Sequence, residues 1–208
     1  MAYTGGDLNF LNGKYGISAP DNSVPVMKLI KAHRPKTKGE LYDLIRKHIA
    51  GGCPCGIKST GSVEDFGKRL YDAQLKEWGT YKYSLQTCIQ WEYDLFVTQS
   101  LKGNYLEKDA LKKLGAIIKT IGLQISAATG YIDEDLRIDL IITKNKHAIC
   151  GIQVKPHTFK KMRKSVIAKN IFANKKWSHP VLYLFYNENN EWINMDEIVE
   201  NILSSIDD

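Results

Sequence analysis

The stretch Arg137-Ile-Asp-Leu-Ile-Ile, followed by Gly151-Ile-Gln-Val-Lys-Pro, decides how this chain is read. Asp139 interrupts one apolar, strand-like run; Gln153 and Lys155 interrupt the next. Side chains alternate faces along a strand, so Gln153 and Lys155, separated only by Val154, point the same way. Paired as a hairpin, the two runs bring a carboxylate, an amide oxygen and an ammonium together at one sheet edge. That trio suits a hard metal ion and the activation of a water, and so implies metal-dependent nuclease chemistry.

The flanking pattern builds a frame for these runs. Tyr105 to Ile121 is predicted helical after a break at Gly103-Asn104. Leu106, Ala110, Leu114, Ile117, Ile118 and Ile121 form its apolar stripe, and Gly122 ends it. Glu107 borders that stripe, because positions 107, 111, 114 and 118 share a face. Leu123 to Ala128, Leu136 to Thr143 and His147 to Lys155 read as strands, with a turn at Lys144-Asn145-Lys146. Thr158 to Lys175 reads as a basic amphipathic helix with Phe159, Met162, Val166, Ile167 and Ile171 inward. Val181-Leu-Tyr-Leu-Phe-Tyr is an unbroken apolar run, as expected of a buried central strand. Asn194 is placed to cap a last helix with Ile198, Val199, Ile202 and Leu203 inward.

Upstream, residues 1–36 are rich in Gly, Asn, Pro and Ser and read as a loop or arm, apart from a short ordered piece at Val24 to Ala32. Helices are expected over Thr37 to Ile49, from Ser62 to about Trp78, and from about Ser84 to Thr98, with Ser62 as an N-cap. The expected fold is α/β. A mainly helical N-terminal region, residues 1–100, packs on a core of residues 101–208, together making one structural domain.

Charge is unevenly distributed. The 208 residues carry 29 Lys and Arg against 23 Asp and Glu, a net +6. From Glu188 onward there are seven acids and no Lys or Arg, which leaves +13 on residues 1–187. Pro156 to Asn187 contains no acid, while Lys160, Lys161, Arg163, Lys164, Lys169, Lys175 and Lys176 crowd into it. A polyanion is the partner this implies. The N-terminus lacks the basic-then-apolar pattern of a secretory signal, and no apolar run is long enough for a membrane span. Cys53, Cys55, Cys88 and Cys150 show no paired framework, as expected of free thiols in a reducing cytoplasm. Cys53-Pro-Cys55 has one residue between its thiols where structural zinc sites have two or more, so Cys88 or a histidine would have to complete a site.

Phosphodiester hydrolysis needs an in-line water and neutralisation of developing charge, which Mg²⁺ supplies through oxygen ligands. Asp139 is the first candidate ligand, joined by the Gln153 amide oxygen, the Val154 backbone carbonyl and Glu107. Lys155 would hold the attacking water or the scissile phosphate by charge. Each residue taken singly has an ordinary surface reading. Their order carries the weight: helix with an inner acid, strand with Asp, turn, strand with Gln-x-Lys, basic helix, apolar strand. His157, after the second strand, is a candidate for phosphate contact. Lys160, Lys161, Arg163, Lys164, Lys175 and Lys176 are candidates for the contacts that position DNA without reading it.

This layout resembles the PD-(D/E)XK nuclease superfamily, in which a mixed sheet is flanked by helices. Ile138 stands where a proline often precedes the aspartate, and Gln153 replaces the usual acid. A wider stretch, residues 60–160, resembles the MjaI family of type II restriction endonucleases. Phe66-Gly-Lys-Arg-Leu-Tyr, Cys88-Ile-Gln-Trp-Glu-Tyr-Asp-Leu, Gly103-Asn-Tyr-Leu-Glu and Gly151-Ile-Gln-Val-Lys-Pro carry that likeness. The resemblance implies Asp139, Gln153, Lys155 and Glu107 as catalytic residues, Mg²⁺ as cofactor and double-stranded DNA as substrate. It also implies a homodimer and a short palindromic target, with CTAG as the candidate. Two other readings remain open: a junction-resolving or repair nuclease on the same core, and a non-catalytic DNA-binding module using the basic helix.

Overall fold

Short polar caps start several of the helices of the first half. The structure, a computed structural model, describes residues 6–18, 24–162 and 164–206, and the chain divides into two compact units, Met1–Asn104 and Tyr105–Asp208. In the first unit, α1 (Asp7–Tyr15) forms where a loop was expected, and α2 (Val26–His33) falls on the short ordered piece expected at Val24 to Ala32. Asn9, Asn12 and Gly13 are poor helix formers, but burial of Leu8 and Leu11 overrides that local preference. Thr37 accepts the Glu40 N–H to start α3 (Lys38–Lys47). Ser62 and Asp65 form a reciprocal capping box at the start of α4 (Val63–Trp78), and Gly79 ends that helix at φ 69°. Ser84 caps α5 (Leu85–Tyr93). Leu11, Ile30, Leu41, Ile45, Phe66, Leu70, Cys88 and Val97 form the core of this unit. Gly67 is needed there: a Cβ on it would lie 2.6 Å from the Ile89 Cα, so only glycine lets α4 and α5 approach so closely.

The expected break at Gly103-Asn104 does not occur. Helix α6 runs unbroken from Ser100 to Lys119. Helix propagation across one glycine costs only about 1 kcal/mol, less than starting a new helix would.

In the second unit, α6 is followed by β1 (Gln124–Ala127), α7 (Tyr131–Glu134), β2 (Leu140–Lys144) and β3 (His147–Pro156). Then come α8 (Lys164–Asn174), β4 (Val181–Tyr186) and α9 (Met195–Ser204). The sheet order is β1-β2-β3-β4. The first three strands are antiparallel neighbours, and β4 is parallel to β3, with α8 in the crossover that such a pair requires. Asn145 and Lys146 both have positive φ, the geometry of a tight hairpin turn between β2 and β3. On one face, Leu106, Ala110, Leu114 and Ile118 of α6 and Ile198 and Ile202 of α9 pack on Leu140, Ile142, Ile152, Val154 and Leu184. The Trp192 indole N–H donates to Asp109 at 2.9 Å on this side.

Four expectations are corrected here. First, β2 starts at Leu140 rather than Leu136, because Arg137 takes a left-handed φ of 58°. Second, β4 is at the edge of the sheet rather than its centre. Its apolar run reflects burial of both faces, which sequence alone cannot separate from a central position. Third, Asn194 makes no side-chain cap on α9. Its side chain accepts the Phe185 N–H and donates to the Tyr183 carbonyl, and so occupies the open edge of β4. Fourth, the single basic helix is two pieces, a 3-10 turn at His157–Lys161 and then α8. The buried residues of α8 are Asn170, Ala173 and Asn174, while Ile171 is exposed.

Candidate active site

The β2–β3 register begins at Leu140↔Ile152, and one residue before it the Asp139 N–H also donates to the Ile152 carbonyl. Gln153 and Lys155 are two positions apart along β3 and so share a face. That face is opposite Ile152 and Val154, which are buried under α6 and α9, and the Asp139 carboxylate meets the strand at the Val154 N–H, between Gln153 and Lys155. The three residues meet where β2 and β3 part, on an inner strand, and not at the sheet edge that the sequence implied.

Asp139 precedes the first residue of β2, yet its backbone is held on both sides. Its N–H donates to the Ile152 carbonyl and its carbonyl accepts the Ala128 N–H, each at 2.9 Å. Beyond this point the left-handed Arg137 turns the chain away, and β2 offers no further carbonyl to β3. The Asp139 carboxylate takes over, with Oδ2 accepting the Val154 N–H at 2.7 Å. The acid is thus fixed by the strand it serves.

Gln153 is fully buried. Its amide N–H₂ donates to the Arg137 carbonyl and, at 3.2 Å, to Asn170 Oδ1. Asn170 in turn donates to the Val166 carbonyl at 2.9 Å. This explains the amide in place of an acid: a carboxylate here would face two oxygens with no proton between them. Gln153 Oε1 is buried with no hydrogen-bond partner.

Lys155 is half-buried. Burial pushes its ammonium pKa down, Asp139 pulls it back up, Arg137 lowers it and Glu107 raises it. Its Nζ lies 5.9 Å from the Phe159 ring centre. Phe159 stacks on Tyr183, which stacks on Phe185, so an aromatic wall backs the lysine. The Tyr183 hydroxyl donates to Asn174 Oδ1, and Asn174 donates to the Leu136 carbonyl at 2.8 Å. Asn174 of α8 therefore holds the loop before Asp139, and Asn170 of the same helix holds Gln153.

Glu107 lies in α6, and its charge bears on both Lys155 and Tyr186. Glu107 and Asp139 thus both act on the Lys155 ammonium, and Gln153 lies two residues before it in β3. The basic candidates are less unified. His157 is half-buried in the 3-10 turn, and Lys160, Lys161 and Lys164 are exposed close after the site. Lys175 and Lys176 are exposed past the far end of α8, about 16 Å of helix away. Arg163 lies outside the described residues.

Sequence reasoning missed Asn170, Asn174 and Tyr183. Asn170 and Asn174 are one helical turn apart, and that spacing was the available signal.

The donor set is hard: carboxylates at Asp139 and Glu107, and a buried amide oxygen on Gln153 lacking a partner. Such oxygens fit Mg²⁺ better than a soft metal. No helix among the described residues is long and apolar enough to cross a membrane. No curated protein and no solved structure matches the chain. The sequence model of one family, described as MjaI restriction endonuclease, matches residues 8–199, which include the whole of the Asp139 site. The chain belongs to the MjaI restriction endonuclease family, type II restriction enzymes whose reaction is the hydrolysis of DNA.

Proposed function

We propose that this chain is a Mg²⁺-dependent enzyme of the PD-(D/E)XK type that cuts double-stranded DNA at a short palindromic site, with CTAG as the candidate sequence. The observation that carries this reading is the Asp139 carboxylate held on the Val154 N–H, between Gln153 and Lys155 of the same strand. Asp139, the Gln153 amide oxygen, the Val154 carbonyl and Glu107 would hold the ion. When bound, the ion supplies charge neutralisation at the scissile phosphate. Lys155 holds the attacking water or a phosphate oxygen by charge, and the aromatic wall limits where its ammonium can go. Asn170 and Asn174 position the site and touch no substrate. Lys160, Lys161, Arg163 and Lys164 contact the DNA backbone beside the cut, with His157 next to them. Lys175 and Lys176 contact it further along.

A symmetric site cut in both strands requires two copies of this active site related by a two-fold axis, so the working form is a homodimer. Residues 1–100 and 101–208 act in this reading as a helical region and a nuclease core. The four cysteines are all free, in keeping with a cytoplasmic enzyme.

The test is to incubate plasmid DNA with the protein and Mg²⁺ and sequence the fragment ends. A fixed fragment pattern with ends at one palindrome supports the proposal. Structure-selective nicking would instead indicate a junction or repair nuclease. If wild type and Lys155→Ala both bind DNA and neither cuts across a panel of sequences, the active-site assignment fails.

A further inference from the structure

We propose a second metal site, in the first unit and independent of the Asp139 site: a thiophilic divalent cation of the zinc class held by His48 Nδ1, Cys53 Sγ and Cys55 Sγ. Helix α3 passes into a π-helical turn at His48–Gly52, and Gly51, at φ 83°, breaks it. Cys53 is then extended, and a turn at Pro54 and Cys55 follows. That turn folds back over the helix end. It brings Cys55 Sγ to 3.5 Å from His48 Nδ1, and all three ligand atoms lie within 4.8 Å of one another.

The 3.5 Å separation of Cys55 Sγ from His48 Nδ1 suits a tetrahedral ion. Metal–sulfur bonds of about 2.3 Å and metal–nitrogen bonds of about 2.0 Å make the S···N edge of a tetrahedron about 3.5 Å. The spacing of one residue between the thiols looked too short for zinc in sequence. The fold supplies the third ligand from five residues before Cys53, across the helix end. His48 is buried, and its Nε2 has no hydrogen-bond partner, so the ring is used only through Nδ1, on the side of the thiols. Two thiolates and a neutral imidazole balance a divalent ion, and the two displaced thiol protons pass to solvent. Cys55 is exposed, which leaves the fourth position to water. The ion staples the turn after α3 to the buried end of that helix.

Metal content of the full-length protein tests this. The protein is reduced, loaded with Zn²⁺, desalted and analysed by elemental mass spectrometry. Wild type is expected to retain about one zinc per chain, with retention falling about tenfold or more in Cys53→Ser and in Cys55→Ser. Cys150→Ala, which removes a buried thiol of the second unit, should retain it. With Co²⁺, wild type should show a thiolate-to-cobalt charge-transfer band that Cys55→Ser lacks. Absence of bound zinc in reduced wild type, unchanged retention in both serine variants, or a cobalt spectrum without thiolate bands would each overturn the site. These readings do not depend on DNA cleavage.

Discussion

At the residue scale, the informative position is Gln153, because it departs from the acid that the chemistry leads one to expect. Its amide hydrogens are committed to the Arg137 carbonyl and to Asn170. Restoring an acid with Gln153→Glu should therefore not improve the enzyme. It should destabilise the fold at neutral pH by about 1–3 kcal/mol, the cost of a buried group left facing acceptors. The deficit should shrink in acid, because a protonated Glu can donate to Arg137 while the charged form cannot. Denaturant melts of both proteins at pH 5 and 8 measure it, and an equal deficit at the two values would disprove the explanation. Asp139 has two roles, accepting the Val154 N–H and carrying charge. Asp139→Asn keeps an acceptor and drops the charge. It should melt within about 0.5 kcal/mol of wild type while losing cleavage by about 100-fold or more. Asp139→Ala should lose cleavage too, and about 1 kcal/mol of stability with the hydrogen bond. A cleaving Asp139→Asn enzyme would remove Asp139 from the metal site.

At the element scale, α5 carries an acid into the core of the first unit. Glu92 is fully buried, and burial pushes its carboxyl up to about 7, although Ser18 pulls it back. A pKa raised in the folded state means the fold prefers the protonated acid. Stability is then greatest below the ordinary carboxyl range and is lost as pH climbs through 7. Glu92→Gln should abolish that slope and gain up to ~3 kcal/mol at pH 8, read as a flat pH profile in urea denaturation. The elements themselves were unevenly legible. Helix α4 was readable from Ser62 to Gly79, because caps and terminators are local chemistry. Helix α1 was not, because only the burial of Leu8 and Leu11 stabilises it. In α8 the polar residues face the sheet and Ile171 faces out, the reverse of what hydrophobicity implies. Buried partners on the neighbouring strands, Gln153 and Tyr183, explain the inversion.

At the scale of the whole molecule, the net +6 and the acid-free segment from Pro156 to Asn187 fit a protein that holds DNA. Replacing Lys160, Lys161 and Lys164 together with alanine should weaken binding about equally for all sequences. The slope of log affinity against log salt should flatten by about 0.9 for each phosphate that the protein no longer neutralises. Filter binding at several salt concentrations reads this, and an unchanged slope would place the DNA elsewhere. What the chain determined by itself was the order of the longer helices and strands in the second unit, with Asp139, Gln153 and Lys155 on or beside two paired strands. Period, turn residues and charge are written locally, so these could be read directly. The tertiary structure decided the rest: β4 at the sheet edge, Gln153 as a donor to Arg137, the asparagines behind the site, and His48 beside Cys53 and Cys55. Each of these depends on which residues distant in sequence come to share a face, and packing settles that.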